Sequence, residues 1–243
     1  ETELVRMNDL TPMAEAFRIL ITNMNFMLPK QKEGKVIFVS SSVKGEGKTF
    51  VSVNLSLTLA TPGKKVIIIG SDIRNPQLQR YNQARKGLEG LTEFLYTPEK
   101  KIDDLIHVSI YNPHLDVIYS GSIPPNPTEL LGNGRYEELL AELRKRYDYI
   151  ILDTAPLMLV TDTLIISNLA DATLYVTRSG YTEEALIEFA NKQIESGKIK
   201  NTAFILNDVS KDHFGYGNKY GYGYNAIEEN YFQKLKSKFK SIF

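Results

Sequence analysis

Cysteine and tryptophan are both absent from this sequence of 243 residues, and histidine occurs only three times. The missing thiols exclude a disulfide framework, a cysteine nucleophile and thiolate-bound zinc or iron–sulfur sites. His107, His114 and His213 have no metal-ligand spacing, which argues against a zinc enzyme. No apolar run approaches the roughly 18 residues that a membrane-spanning helix needs, and the N-terminus does not resemble a secretory signal.

The chain also lacks a net charge: 29 Lys and Arg residues balance 29 Asp and Glu residues. A zero balance produces no overall field that attracts nucleic acid, so we expect no nucleic-acid partner. Hydrophobic residues make up 42% of the chain and charged residues 24%, which is ordinary for a globular protein. Since the sequence begins at Glu1 rather than at a methionine, we expect it to be a piece of a longer protein.

Short apolar segments alternate with helical patterns along most of the chain. Strands are predicted at Lys35–Ser40, Lys65–Gly70, Leu115–Tyr119, Tyr149–Asp153, Ala172–Thr177 and Ala203–Asn207. Helices are predicted at about Lys48–Ala60, Thr128–Arg146, Asp162–Leu169 and Thr182–Ser196. Strands that are apolar on both faces and separated by helices indicate an α/β fold with a mostly parallel sheet covered on both sides.

The N-terminal segment begins a further helix, with Thr11 as its cap, Pro12 at its first position and Glu15 in its first turn. Apolar residues then follow with helical spacing, at Phe17, Leu20, Met24 and Met27 or Leu28. We therefore divide the chain into a helical segment 1–34 that packs on the core, a P-loop core 35–210, and a tail 211–243.

The segment Ser42–Thr49 (SVKGEGKT) matches the phosphate-binding P-loop pattern G-x-x-x-x-G-K-[ST], with serine in place of the first glycine. A strand precedes it and a helix follows it, which is the context that this loop requires. Gly45 and Gly47 allow backbone N–H groups to turn towards phosphate oxygens, and the helix start adds further unpaired N–H groups. Lys48 is expected to reach the β- and γ-phosphates, and the Thr49 hydroxyl to bind Mg²⁺.

Polar residues lie at the end of three predicted strands or just beyond it. Asp153 ends the strand YIILD, and Asp72 follows the second strand. We expect both strands beside the P-loop strand, so that both carboxylates converge on one Mg²⁺ at the carboxyl edge of the sheet. Asn207 ends the last strand, where its amide either pairs with an adenine edge or only caps a turn.

These motifs define the predicted site. The predicted catalytic residues are Lys48, Asp72 and Asp153, and the predicted metal ligands are Thr49, Asp72 and Asp153. The predicted nucleotide-binding residues are Ser42, Val43, Lys44, Gly45, Glu46, Gly47, Lys48, Thr49, Phe50 and Asn207.

The C-terminal segment concentrates tyrosine and glycine. Five of the 14 tyrosines of the chain are Tyr216, Tyr220, Tyr222, Tyr224 and Tyr231. No strand or helix period fits them, so we expect a flexible tail that presents phenols to an active site. A sticky or RNA-binding low-complexity tract is the alternative, but only Lys219 lies within the cluster. Alternating lysines at 234–240 indicate either a solvated terminus or a contact with anionic membranes.

Together these motifs resemble the bacterial tyrosine kinases (BY-kinases), relatives of the MinD/ParA-type P-loop ATPases. The resemblance is carried by Ser42–Thr49, Asp72-Ile73-Arg74, Asn126–Leu131, Ile151–Thr154 and the tyrosine tail. It implies Mg-ATP-dependent autophosphorylation of the tail tyrosines, mostly between subunits of a homo-oligomeric ring. It further implies regulation of capsule or exopolysaccharide export and a tyrosine phosphatase that reverses the modification.

The same resemblance implies a location and a membrane partner. A kinase of this kind works at the cytoplasmic face of the bacterial inner membrane with a membrane-spanning chain-length regulator, fused upstream or separate. The present fragment is then expected to be soluble by itself.

Three positions depart from the family pattern. The second-strand motif of the family reads Asp-x-Asp-x-Arg, and Gly70 stands where its first Asp is expected. The oligomerisation motif Glu-x-x-Arg-x-x-Arg is present only as Glu15 and Arg18, with Ile21 at the last position. The extra P-loop lysine of the MinD/ParA group is replaced by Val43, which does not support a lysine finger between subunits.

Three functions therefore remain open from the sequence. The first is an autophosphorylating tyrosine kinase that regulates polysaccharide export, and the second is a MinD/ParA-like ATPase switch without kinase activity. The third is a silent nucleotide-binding scaffold with a tail that serves only for interaction. Val43 weakens the second function. Gly70 weakens the first, unless Asp72 or Asp153 takes over the role of the Asp that the family carries at position 70.

Overall fold

The structure, a computed structural model, describes residues 4–160 and 162–210. Its centre is a sheet of seven strands in the order β3-β4-β2-β5-β1-β6-β7, all parallel to their neighbours except the antiparallel edge strand β3. The strands are β1 Lys35–Ser41, β2 Val66–Gly70, β3 His107–Val108, β4 Leu115–Ile118, β5 Tyr149–Asp153, β6 Ala172–Arg178 and β7 Thr202–Asn207. The six predicted strands are thus confirmed, and the short β3 was not predicted.

Seven α-helices connect and cover the strands in the described part of the chain. They are α1 Pro12–Met27, α2 Lys48–Leu59, α3 Leu91–Tyr96, α4 Pro127–Leu131, α5 Arg135–Arg146, α6 Thr163–Ser167 and α7 Glu184–Glu195. Three short 3-10 turns lie between β2 and β3, at Leu78–Tyr81, Gln83–Arg85 and Ile102–Asp104. Helices therefore separate most of the parallel strands, as the alternating sequence pattern predicted.

Successive residues of the central strands point to opposite faces of the sheet, and each face has its own apolar cluster. In β2, Ile68 belongs to the cluster that α1 and α2 cover, whereas Ile67 and Ile69 belong to the cluster beneath α3, α4 and α5. All three side chains are buried. This two-sided burial explains why the strands are continuous apolar runs rather than alternating ones.

The first helix begins where the sequence predicted it. The Thr11 side chain accepts a hydrogen bond from the Ala14 N–H at 3.3 Å, and Pro12 occupies the first helical position, where no backbone N–H is needed. Phe17 and Met24 are buried against the sheet side of the molecule. Upstream of the helix, the Val5 N–H donates to the Asn54 side chain of α2 at 2.8 Å, so the N-terminal segment is tied to the helix that follows the P-loop.

Two sequence predictions about the fold are wrong. The strand β2 does not lie beside the P-loop strand β1, because the two edges of β1 pair with β5 and β6, and β2 pairs with β5 instead. The single helix predicted over Thr128–Arg146 is two helices, α4 and α5. Gly132 ends the first helix, and Gly134, with a φ of 88°, begins the second in a left-handed conformation that would strain most other residues.

A dense hydrogen-bond network closes the amino edge of the sheet. The Asp171 carboxylate accepts the Val36 N–H at 2.7 Å and the Arg144 guanidinium at 2.7 Å. Arg144 also donates to the Gly34 carbonyl at 2.7 Å and to the Leu169 carbonyl at 3.0 Å. We call Arg144 and Asp171 the amino-edge pair.

The described residues up to Asn207 belong to one compact unit. The tail and its five tyrosines lie outside the described residues, and the division into 1–34, 35–210 and 211–243 stays a prediction. Within residues 4–160 and 162–210, no helix combines the length and the apolar character that crossing a membrane requires.

Candidate active site

The loop between β1 and α2 has the backbone conformation that a phosphate-binding loop requires. Gly45 and Gly47 have φ angles of 94° and 96°, in the left-handed region that favours glycine. A Cβ added to Gly47 would lie 2.0 Å from the Asn207 amide nitrogen, so even the space for a methyl group is taken. Gly47 is also the N-cap of α2, where backbone N–H groups lack helical partners. The loop is therefore shaped to receive an anion at the start of the helix.

Buried side chains hold this loop from inside the protein. The Glu46 carboxylate accepts the Val43 N–H at 2.8 Å and the Thr182 hydroxyl at 2.5 Å, and Glu46 is fully buried. The Ser42 and Tyr175 hydroxyls share a hydrogen bond of 2.7 Å. The Val43 N–H is thus used within the loop, whereas Thr182 and Tyr175 connect the loop to β6 and to the segment after it.

The outer rim of the loop is held by Asn207, which the sequence singled out, and by Arg178 and Tyr181, which sequence reasoning missed. The Tyr181 hydroxyl donates to the Lys44 carbonyl at 3.0 Å, and Arg178 donates to the Gly45 carbonyl at 3.1 Å. Asn207, at the end of β7, donates to the Glu46 carbonyl at 3.0 Å. No local motif marks residues 178 and 181, since only the parallel pairing of β1 with β6 brings them to the loop.

Lys48, Asp72 and Asp153 lie close together in the structure. The Lys48 ammonium lies 3.8 Å from an Asp72 carboxylate oxygen, and all three residues are buried. Asp72 is held from its other side, where it accepts the Asn75 N–H at 2.9 Å. The group thus consists of one cation and two carboxylates at the carboxyl edge of the sheet.

Backbone hydrogen bonds explain why Asp72 reaches Asp153 although its strand does not pair with the P-loop strand. Gly70 lies in register with Asp153 across the β2–β5 pair. Beyond the end of β2, the Ser71 and Asp72 N–H groups both donate to the Asp153 carbonyl, at 2.8 and 3.1 Å. These backbone hydrogen bonds therefore fix the main chain at Asp72 directly to that at Asp153.

Burial dominates the electrostatics of both carboxylates. It raises the pKa of Asp153 to about 6, against the opposing effects of Lys48 and of hydrogen bonds from the Thr49 and Ser52 hydroxyls. It also raises the pKa of Asp72, against the Asn75 N–H and the charge of Lys48. The ionised forms of both groups are thus costly, and a bound cation would relieve that cost.

The donor set fits a divalent cation that keeps some of its waters. In the described part of the chain, no cluster of three or more His, Cys, Asp or Glu residues has a metal-binding arrangement. Mg²⁺, however, is commonly bound by one or two carboxylates together with substrate phosphates and water. Thr49, Asp72 and Asp153 offer such oxygens beside the phosphate-shaped loop, and the Thr49 and Ser52 hydroxyls contact Asp153.

Gly70 is closely packed. A Cβ at this position would lie 2.5 Å from the Ser120 hydroxyl oxygen and 3.1 Å from the Ser120 nitrogen. That hydroxyl is buried and has no hydrogen-bond partner within the described ranges. The space of a side chain at position 70 is thus already taken by Ser120.

A cavity of about 1770 Å³ opens over the site. Lys48 and Asp72 line it together with Arg74, Tyr81 and Tyr111. Residues of the N-terminal segment before α1 also contribute, at Leu4–Met7, Asp9 and Thr11. Small-molecule pockets usually measure roughly 300–1,000 Å³, so this cavity exceeds the space of one ordinary ligand.

Other predicted residues lie away from the buried group. Lys44 is exposed, and the half-buried Phe50 packs against Phe17 with ring centroids 6.3 Å apart. Glu15 and Arg18 form an ion pair of 3.1 Å on α1, and Arg18 also donates to the Asp9 carbonyl. Their assignment to oligomerisation stays a prediction.

Comparison with known proteins gives one consistent result. The family model described as an AAA domain matches residues 34–201. Tyrosine-protein kinase CpsD of Streptococcus agalactiae serotype Ia is 36% identical over 203 residues, which are 84% of this chain and 85% of that protein. The kinase domain of the Escherichia coli tyrosine kinase ETK superposes with a TM-score of 0.75 and 28% identity, over 82% of this chain and 76% of that one.

More distant structures share the fold alone. The cell division ATPase MinD of Pyrococcus furiosus has a TM-score of 0.59 and 21% identity, over 73% of this chain and 74% of that chain. This likeness is one of fold, whereas the relatives that share more sequence are named tyrosine kinases. The chain belongs to the bacterial tyrosine kinase family.

Proposed function

We propose that this chain transfers the terminal phosphoryl group of ATP to its own tail tyrosines, with Mg²⁺ as cofactor. The sites would be Tyr216, Tyr220, Tyr222, Tyr224 and Tyr231. The observation that carries the proposal is the convergence of Lys48, Asp72 and Asp153 beside the glycine loop, where Lys48 and Asp72 line the cavity. The family membership and the size of the cavity, which leaves room for a phenol beside a nucleotide, support it.

The residues of the chain have distinct parts in this reaction. The loop amides and the start of α2 bind phosphate oxygens, and Lys48 neutralises negative charge on the phosphate that is transferred. Thr49, Asp72 and Asp153 would hold Mg²⁺, which supplies charge neutralisation when it is bound. The carboxylate nearest the incoming phenol, Asp72 or Asp153, accepts its proton. Because phosphoryl transfer has a loose transition state, positioning and charge contribute more than a strong base.

The biological setting is proposed from the family. The relatives include a putative tyrosine-protein kinase EpsB of Ralstonia, a longer protein in which the region similar to this chain makes up 29% of the length. We propose that this chain regulates capsule or exopolysaccharide synthesis and export at the cytoplasmic face of the membrane. Its partners would be a membrane-spanning chain-length regulator, further copies of the chain and a tyrosine phosphatase.

The test is intact-mass analysis of the chain after incubation with Mg-ATP, followed by peptide mapping of the tail. We expect steps of one phosphate on the tail, and their loss in Lys48→Ala. Lys64→Ala, which removes an exposed lysine from the turn before β2, is the matched control and should label like the wild type.

Two outcomes would contradict the proposal. Unchanged labelling of Lys48→Ala would remove Lys48 from the reaction. Release of inorganic phosphate without modification of the tail would indicate the ATPase switch instead.

A further inference from the structure

Arg74 lines the cavity, although the mechanism above does not use it. It follows Asp72 by two residues, and its charge lowers the pKa of that carboxyl within the larger increase that burial causes. The Arg74 side chain is 43% exposed, whereas Lys48 and Asp72 are almost completely covered. It thus presents a second positive charge at a more open part of the same wall.

Residues behind the cavity wall fix the orientation of this guanidinium. Its Nε donates to an Asp162 carboxylate oxygen at 2.6 Å, and its Nη2 donates to the Thr128 hydroxyl at 3.2 Å. The Thr128 hydroxyl in turn donates to the other Asp162 oxygen at 2.8 Å. Each of the three side chains therefore contacts both of the others.

The Asp162 carboxylate is buried, with 4% of its side chain exposed, and neither it nor Thr128 lines the cavity. The hydrogen bonds from Arg74 and Thr128 keep its pKa below the usual range, despite the opposing effect of burial. A buried carboxylate of this kind holds a guanidinium in one position, since charge-assisted bonds are short and directional. An unpaired arginine with 43% of its surface exposed would sample many rotamers.

Two donor atoms of Arg74 are used in this network, and a guanidinium carries five N–H groups. Within residues 4–160 and 162–210, no hydrogen bond from its Nη1 is present. Planar N–H pairs of this type match the oxygens of a phosphate group. The arrangement thus resembles a positioned phosphate contact more than a surface ion pair.

A purely structural role is the competing explanation. Arg74 lies after β2, Thr128 lies in α4 and Asp162 precedes α6, so the network also connects three elements. In that case, loss of the network would lower the stability and weaken every ligand of the site alike. A contact with one particular phosphate would instead change the preference between ligands.

We propose that Arg74 contacts the terminal phosphate of the bound nucleoside triphosphate, and that Asp162 and Thr128 are positioning residues that hold its guanidinium for this contact. The proposal rests on the proposed nucleotide-dependent function. The proposal gives the cavity a second cation with a fixed position, Arg74, in addition to Lys48.

The test is calorimetric titration with Mg-ADP and with Mg²⁺ plus β,γ-imido-ATP, which the protein cannot hydrolyse. Hydrogen bonds to charged groups are worth about 1.5–3 kcal/mol, so Arg74→Gln should weaken the triphosphate at least about tenfold. ADP affinity should change less than about twofold, since ADP lacks the contacted phosphate. Asp162→Asn and Thr128→Val should lower the ratio of triphosphate to diphosphate affinity in the same direction, by smaller factors.

The amino-edge pair supplies the matched control. Asp171→Asn removes the charge of a carboxylate that an arginine also contacts at 2.7 Å, at the other edge of the sheet. It should lower the melting temperature without changing the ratio of the two affinities. Arg74→Lys keeps the charge but not the fork of donors, and should recover only part of the ratio.

Each result decides the proposal. An unchanged ratio in Arg74→Gln, with both nucleotides still bound, would overturn the inference and leave the proposed function intact. Wild-type protein that binds neither nucleotide would overturn both. If Asp162→Asn does not fold, the ratios of Thr128→Val and Arg74→Lys still give the decision.

Discussion

Each of the two edges of the sheet carries a pair of oppositely charged side chains, but the two pairs have different roles. At the amino edge, Arg144 and Asp171 contact at 2.7 Å, and the same two side chains also bond to the backbone of neighbouring segments. At the carboxyl edge, Lys48 and Asp72 are 3.8 Å apart, although both are more deeply buried. Burial without close pairing is costly for ionised groups. The amino edge is therefore arranged for stability, and the carboxyl edge keeps charges available for a ligand.

Removal of the amino-edge arginine should have the largest effect on stability. Arg144→Ala removes the charged partner of Asp171, which keeps the Val36 N–H, and the side-chain donor of two carbonyls, so the free energy of unfolding should fall by about 2–4 kcal/mol. Denaturant unfolding measures this change. Nucleotide affinity under native conditions should stay within about twofold, because the amino edge does not line the cavity. A large loss of affinity in the folded variant would break the division between the two edges.

Substitution in the phosphate loop should instead lower nucleotide affinity. In Gly47→Ala, a residue with a φ of 96° would carry a Cβ 2.0 Å from the Asn207 amide. We expect ADP affinity to fall by about one to two orders of magnitude, since the loop has to change shape. Calorimetric titration measures the loss.

The control for this substitution is Gly63→Ala. Gly63 has a φ of 86°, but a Cβ there would meet nothing within 4 Å. Gly63→Ala therefore introduces backbone strain without a steric clash. It should lower the free energy of unfolding by about 1 kcal/mol without affecting nucleotide binding. Equal affinities in the two variants would contradict the role assigned to the loop.

The pH dependence of stability tests the cost of the buried carboxylate. Because the pKa of Asp153 is raised from 3.8 to about 6, the folded protein binds this proton more tightly than the unfolded chain does. The resulting stabilisation is complete below the unfolded pKa and is lost as the pH rises through the folded one. The free energy of unfolding should therefore fall by about 1–3 kcal/mol between pH 4 and 7 on account of this group.

The variant Asp153→Asn should remove that part of the pH dependence. Denaturant unfolding at several pH values, without nucleotide, compares it with the wild type. The wild type should lose stability relative to the variant as the pH rises. Parallel curves for the two proteins would show that Asp153 titrates normally in the folded state.

The smallest expected effect comes from the rim of the loop. Tyr181→Phe removes the hydrogen bond to the Lys44 carbonyl, from a side chain that is about half exposed. A bond of this kind contributes about 0.5–1 kcal/mol, so ADP affinity should fall about two- to fivefold. Tyr96→Phe, on the exposed face of α3, is the control and should not change it. A larger loss in Tyr96→Phe would contradict the assignment.

The sequence predicts most of this fold because its signals are local. Continuous apolar runs mark six strands, and the P-loop pattern places Lys48 and Thr49 at the start of α2. The break between α4 and α5 was also marked, by the Gly-Asn-Gly at 132–134, but the helical pattern on either side obscured it. The two-residue β3 is too short to show a period.

The remaining parts of the site depend on strand order, which local patterns do not contain. Asp72 and Asp153 were predicted to meet, but through pairing of β2 with the P-loop strand, and the actual connection is β5. Tyr181 and Asp162 reach the site from distant parts of the sequence, at 137 and 88 positions from their partners Lys44 and Arg74. Such contacts become visible only once the sheet is assembled.

The close packing of Gly70 against Ser120 restricts which residues can replace this glycine. Related kinases are expected to carry an aspartate at position 70, and here its Cβ would lie 2.5 Å from the Ser120 oxygen. Overpacking of this kind commonly costs about 1–3 kcal/mol. Gly70→Asp should therefore cost less stability when Ser120 is replaced by a smaller residue. The effects of the two substitutions on the free energy of unfolding should then not be additive.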